Sequence, residues 1–355
     1  MKLRTIDDVI AGLNHPGFFP IEPPAYNGDS ARGIGLAVES MKRHSTDEGW
    51  QIFEGLGCSG YLLCGHGLTI NETDVKKIIA ASNPGIVVVQ DEREWNVVPG
   101  DFRDPAARFT NVEELSKRPD IFKLTILKDS HQNPRYHIDS ANKIGCHVWI
   151  IYYHPRIVKH VAPYIRADNL IRTWHSVNKD LVPTYSSKRS KCLLSGAVSP
   201  VYPLRLRLCN EVDQLKDTDY LKHPGYHRNG TATPHFLQTL GNYKVAICTA
   251  SIYGYALRKI IEATACGCRV ITDLPVDEKM PWIDSNLVRI SPDLPTGQVN
   301  ELIKGLLETY NPELQEHLAE QAKGWYDFRE VTKRLAQDIA IMRFRYANAE
   351  QPARR

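Results

Sequence analysis

The chain has 355 residues, 42% of them hydrophobic and 24% charged, with a formal net charge of +3. That length accommodates two domains with separate cores, and the composition is that of a globular protein. Mild basicity without a dense basic patch gives no argument for a nucleic-acid binder, and no apolar run approaches the ~18 residues a membrane-spanning helix needs.

In chain order, residues 1–30 are rich in Pro and Gly (HPGFFPIEPPAYNGDS) and read as irregular. ARGIGLAVESMKRH (31–44) reads as an amphipathic helix containing Gly33-x-Gly35. WQIFEGL (50–56) and GYLLCGHG (60–67) read as strands, the second ending in Gly65-His66-Gly67. DVKKIIAASN (74–83) is helical, and GIVVVQDEREW (85–95) is a buried strand running into a charged loop with Asp91. The strand beginning FKLTIL ends in Lys128-Asp129-Ser130-His131. A helix with Ile138, Ala141 and Ile144 on one face then leads to the strand HVWIIYY. Strands alternating with helices build parallel sheets, and residues at the carboxyl ends of such strands line the ligand crevice. Asp129 and His131 occupy such a position; helix capping by Asp129 is the competing explanation.

NLIRTWHS (169–176) is a further strand, and the polar VNKDLVPTYSSKRSK (177–191) reads as a linker. KCLLSG then opens a second domain with a strand and a Ser195-Gly196 turn, followed by a Pro-bearing loop and a helix. Arg205 and Arg207 are two residues apart, so only one of them can face a site while the other meets solvent. His223-Pro-Gly-Tyr-His-Arg is a turn-forming loop ahead of the helix PHFLQTLGNY. The most informative stretch is YKVAICTASIYGYALRKIIEATACGCRVITD (243–273): strand, glycine-bearing loop, helix, tight turn, strand. Its helix starts near Gly254 and Tyr255, where unpaired N–H groups suit an anion. Lys259 and Arg258 stand three and four residues from Glu262 and can share its face, as a surface ion pair would also require. A strand NLVRISP and three helices (299–310, 312–326 and 328–349) complete the chain; Val331, Leu335, Ile339 and Met342 give the last helix a packing face.

Glu262-Ala263-Thr264-Ala265-Cys266-Gly267, behind a glycine-bearing loop and ahead of a strand ending in Asp273, resembles the donor segment of GT-B glycosyltransferases of the family 1/4-like or spore-coat-like groups. The resemblance implies an α/β protein with two Rossmann-like domains facing across a cleft, and a C-terminal helix crossing back to the N-terminal domain. The expected division is 1–183 for the acceptor domain, 184–325 for the donor domain, and 326–355 for the returning helix and tail. It also implies a transfer of a sugar from a nucleotide-sugar, a UDP-sugar first, to an acceptor hydroxyl without a metal or other cofactor. In that reading Glu262 meets the ribose. Lys259, Arg258, Arg205, Gly254, Tyr255, Ser195, Gly196 and His223 surround the diphosphate, so that charge on the leaving group is stabilised electrostatically. Asp129 is the general base with His131 as partner or rival, and His66 and Asp91 lie on the acceptor side. Gly33-x-Gly35 is similar to the glycine-rich entry of an acceptor domain.

The family's second Glu, eight residues before the first, is replaced by Gly254, which favours an inverting displacement. Asp217-Thr218-Asp219 matches the metal-binding pair of the other large glycosyltransferase fold, but its place in the second domain is wrong for that role. The histidines show no H-E-x-x-H spacing, so no metal is assigned. Glu262→Ala is expected to weaken donor binding while leaving the fold intact.

The acceptor is a glycan, a small molecule or modified DNA. Lys/Arg clusters at 186–191 and 343–355 permit a phage-type enzyme acting on hydroxymethylated bases, and a non-catalytic nucleotide- or sugar-binding protein on the same scaffold is a further alternative. A dinucleotide-dependent oxidoreductase is disfavoured, because no strand-linked G-x-G-x-x-G is present. The eight cysteines lack C-x-x-C pairs and read as buried reduced thiols. Together with an opening that lacks a long apolar core, they suggest a cytoplasmic protein.

Overall fold

The computed structural model describes residues 32–37, 48–90, 108–127, 134–154, 169–184, 188–223 and 232–349. The chain forms two compact units, one of residues 1–42, 49–174 and 329–355, the other of 43–48 and 175–328.

The first unit is built on the parallel strands β1 (Gly33–Leu36), β2 (Leu62–Cys64), β3 (Ile86–Val89), β4 (Phe122–Leu127), β5 (Val148–Ile151) and β6 (Leu170–Arg172), in the order β2-β1-β3-β4-β5-β6. Every residue of β3 and β4 is buried, as expected for central parallel strands covered on both faces. Helices α1 (Glu48–Cys58), α2 (Val75–Ser82) and α3 (Pro134–Ile144) connect them. Asp74 caps α2 by accepting from the Lys76 N–H at 3.0 Å, and Asn83 closes it in the left-handed conformation.

Two sequence expectations are corrected here. The helix expected over 31–44 is replaced at 33–36 by strand β1, and residues 38–44 lie outside the described residues. Gly33 and Gly35 serve packing: a Cβ would lie 2.5 Å from the Tyr61 ring at the first and 2.9 Å from the Phe53 ring at the second. WQIFEGL lies in α1, not in a strand; Trp50, Phe53 and Leu56 are buried at a spacing of three, so the helical period prevails.

The second unit carries the parallel strands β7 (Arg189–Gly196), β8 (Thr218–Lys222), β9 (Tyr243–Ile247), β10 (Arg269–Thr272) and β11 (Leu287–Arg289), in the order β11-β10-β9-β7-β8. Helices α4 (Pro203–Asn210), α5 (Ala232–Leu240), α6 (Arg258–Ala265), α7 (Thr296–Glu308) and α8 (Pro312–Tyr326) accompany them. Leu194, Leu204, Leu208, Val245, Ile247, Ile271, Val299 and Ile303 belong to one core cluster, with β7 and β9 contributing apolar side chains to it. The chain leaves β7 toward β8 on one side and continues to β9 on the other, so the strand order reverses between β7 and β9. In such sheets the crevice beyond that reversal is where ligands bind.

Residues 177–184 and 188–191, expected to form a linker, make specific contacts within the second unit. The Val177 N–H donates to the Tyr326 carbonyl at 2.9 Å and the Phe328 N–H to the Val177 carbonyl at 3.0 Å, tying the entry of the second unit to its exit. The Lys188 ammonium donates to the carbonyls of Gly241 and Cys266 at 2.8 and 2.6 Å. Lys191 and Arg189 both approach Asp219. Of the basic residues here, Lys188 is thus spent on internal carbonyls, while Arg189 and Lys191 stay largely exposed beside Asp219. The last helix, α9 (Phe328–Ala349), returns to the first unit, where Leu335 and Ile339 enter the core and Thr332 lies against Gly55. All eight cysteines are free; five are buried as expected, while Cys146 and Cys209 are only partly buried and Cys58 is exposed. Among the described residues no helix is long and apolar enough to cross a membrane.

Candidate functional site

The crevice at the β7/β9 reversal is assembled from three chain segments. β7 ends in Ser195, which is 5% exposed, and in Gly196, held at φ 123°. A Cβ at Gly196 would stand 2.7 Å from Nη1 of Arg205, so only glycine lets the turn sit on the guanidinium. Arg205, from α4, is buried; it donates to the Ala197 carbonyl at 2.9 Å and lies 4.2 Å over the Tyr202 ring. It is a fixed positive charge beneath the turn. Arg207 donates to the carbonyls of Pro292 and Leu294 and to Thr296. It thus anchors the start of α7 instead of meeting solvent.

From the other side of the reversal, α6 sends Lys259 to donate to the Ser195 hydroxyl at 3.3 Å, with its ammonium 4.0 Å from the centre of the Phe236 ring. Burial pushes this half-buried ammonium down to about 8; Glu262 opposes the shift and Arg205 adds to it. His223, just past β8, is also held below its usual range by burial and by the charges of Lys259 and Arg205. Cations that depress one another in this way form a pocket suited to an anion.

The loop between β9 and α6 is pinned from behind. Asp273, at the end of β10, accepts from the Ala250 N–H at 2.5 Å, and burial raises its pKa. Glu278, fully buried, accepts from the Ala256 N–H at 3.3 Å. Gly254 takes φ 58° in a turn closed by its N–H to the Ser251 carbonyl at 2.9 Å. Helix α6 therefore begins at Arg258, later than Gly254 and Tyr255, which lie in the preceding turn; Tyr255 stacks on His175 with 6.0 Å between ring centres. The Thr249 hydroxyl, 1% exposed, has no hydrogen-bond partner among the described residues.

Arg258 and Lys259 part company. Arg258 forms a buried ion pair with Glu262 at 3.1 Å, inside the unit, while Lys259 crosses to the Ser195 turn. Ser195, Gly196, Arg205, His223 and Lys259 are thus brought together, with Glu262 one helical turn beyond Lys259. His66 is exposed on the turn after β2 in the first unit. Asp91, Asp129 and His131 lie outside the described residues. Asp219, from the Asp-x-Asp match, is bound by Lys191 at 2.5 Å and by the Tyr243 hydroxyl at 2.9 Å. Sequence reasoning missed Phe236, Thr249 and Glu278; as single residues in a helix and two loops they carry no spacing signal.

Two such parallel-sheet units, with the last helix returned to the first, are the GT-B fold. No protein-family model and no curated protein matches the chain. Among solved structures it is similar to Anabaena HepE in complex with UDP (TM-score 0.55, 10% identity, 87% of this chain and 99% of that one). It is likewise similar to the sucrose-phosphate synthase of Thermosynechococcus elongatus (TM-score 0.54, 9% identity, 90% and 100%). A third is a glycosyltransferase from Rickettsia africae (TM-score 0.52, 10% identity, 88% and 99%).

Proposed function

We propose that the protein is a glycosyltransferase that moves a sugar from a nucleotide-sugar, a UDP-sugar first, to an acceptor hydroxyl. The observation that carries this reading is the Lys259 ammonium set on the Ser195 turn above the buried Arg205, at the reversal point of the second sheet. HepE, similar in fold, has structures with UDP and with UDP-glucose, which supports UDP as the first nucleotide to test.

In the proposed reaction the acceptor oxygen attacks the anomeric carbon and the bond from that carbon to the diphosphate oxygen breaks. The electron pair stays on the diphosphate, where Lys259 and the field of Arg205 receive the charge, with the Ser195–Gly196 turn, Gly254, Tyr255 and His223 lining the anion. Glu262, oriented by Arg258, takes the ribose hydroxyls. Asp129 receives the acceptor proton, with His131 as its orienting partner or rival base, and the single displacement inverts the anomeric centre. No metal is assigned to the step.

The test is thermal-shift binding of UDP-glucose followed by assay of UDP release with candidate acceptors. Stabilisation by UDP-glucose and turnover lost in Asp129→Asn, with donor binding retained, are the expected results. Stabilisation without turnover toward any acceptor would favour a non-catalytic binding protein, and full activity in Asp129→Asn would remove that residue from catalysis.

The lysine also sets a pH dependence. A diphosphate prefers the protonated ammonium, and Lys259 in the empty pocket loses its proton near pH 8. UDP affinity is expected to be level from about pH 7, above the last phosphate ionisation, and then to fall by up to about tenfold per pH unit once the pH passes the lysine value. Titration calorimetry should show this fall in the parent and a flat profile in Lys259→Met; a flat profile in the parent would contradict the assignment.

A further inference from the structure

Helix α5 turns one stripe inward: Thr233, Leu237 and Leu240 are buried, at the spacing of a helical face. Phe236 belongs to the same stripe, three residues after Thr233 and four before Leu240, yet it is only half-buried. Its ring face is turned to Lys259 of α6, whose ammonium lies 4.0 Å from the ring centre. The helix is seated on the turn after α6, where the thiols of Cys266 and Cys268 donate to the carbonyls of Leu237 and Leu240 at 3.5 and 3.3 Å.

An ammonium has three N–H donors. Among the described residues Lys259 gives one of them to the Ser195 hydroxyl, at 3.3 Å. Its charge still needs a partner. Burial and Arg205 work against it, and His223 is a further basic group beside it. The Cys248 thiol, pushed up to about 12 by burial, stays neutral, and Glu262, one turn along α6, is paired with Arg258. A carboxylate at position 236 would attract the ammonium, but it would take up its donors and repel a diphosphate. An aromatic face attracts a cation through its quadrupole, carries no net charge and consumes no hydrogen bond. A leucine would fill the same stripe and supply none of that attraction.

We propose, on the reading of the β7/β9 crevice as the donor site, that Phe236 is a positioning residue of the cation pocket: its ring face and the Ser195 hydroxyl together hold the Lys259 ammonium in place and charged, with its remaining donors left to the diphosphate of a nucleotide.

Two titrations of the full chain test it. Isotope-edited NMR of lysine-labelled protein without nucleotide follows the Lys259 side chain, identified by its loss in Lys259→Met, and calorimetry follows UDP affinity against pH. Removing the ring's attraction disfavours the charged form. In Phe236→Leu the Lys259 titration should therefore fall by about one pH unit from its parent value of about 8, and the loss of UDP affinity should begin about one pH unit earlier. Phe236→Tyr, which keeps an aromatic face, should hold both near the parent values. Trifluorophenylalanine in place of Phe236 keeps the ring's shape but strips its face of negative potential, and it should act like leucine, a result that packing alone would not give. A Lys259 titration unmoved in Phe236→Leu or in the fluorinated protein, or moved as far in Phe236→Tyr, would overturn the proposal. A shifted titration in a protein that gives no UDP isotherm would uphold the ring's hold on the ammonium and overturn the donor reading instead.

Discussion

Lys259→Met is expected to weaken UDP binding by about ten- to a hundredfold while leaving the unliganded protein as stable as the parent or more so. The ammonium is the reachable cation at the β7/β9 reversal, 3.3 Å from the Ser195 hydroxyl, and a hydrogen bond to a charged group contributes about 1.5–3 kcal/mol. In the empty pocket the same charge is desolvated and repelled by Arg205. A neutral side chain of similar length relieves both penalties and gives up the smaller attraction of Glu262, and burial is the largest of these effects, so stability is retained, as often happens when a buried charge is replaced by an apolar group. Calorimetry with UDP and a thermal melt without it read the two effects separately. Unchanged UDP affinity would take Lys259 out of the donor site.

Glu262→Ala is expected to lower both stability and donor affinity, which corrects the expectation that the fold would be untouched. Arg258 and Glu262 have side chains only 9% and 7% exposed, and they pair at 3.1 Å. Removing one partner of a buried pair costs about 3–5 kcal/mol because the other charge is left without it. For a unit of this size that corresponds to a fall in melting temperature of roughly 10 °C. Glu262→Gln keeps the volume and an acceptor oxygen, so it should lose less stability than the alanine variant. If Glu262 meets the ribose, the glutamine variant still binds UDP more weakly than the parent at temperatures where both are folded. Equal UDP affinity in folded Glu262→Gln would confine Glu262 to a structural role.

The strand-helix-strand unit over 243–273 was legible because its signals are local: two short β-branched runs, a helix between them, and glycines at 254 and 267, both of which take positive φ. The Ser195-Gly196 turn and the last helix, with Leu335 and Ile339 four apart, were legible for the same reason. The opening of the first unit was not. A four-residue strand is shorter than the window over which a period can be measured, and Gly33 and Gly35 answer to the rings of Tyr61 and Phe53, which lie outside any local pattern.

For the site, the sequence by itself determined which residue types stand near the ends of strands, since alternation of strand and helix places those ends. Only the tertiary structure decided their partners. Arg258 and Lys259 are adjacent in the chain and read as sharing one face, yet one pairs with Glu262 in the interior and the other reaches Ser195, 64 residues away. That division depends on β9 lying beside β7 and on which side chain keeps access to an anion. Strand order and desolvation arise from contacts remote in sequence, and no spacing along the chain encodes them.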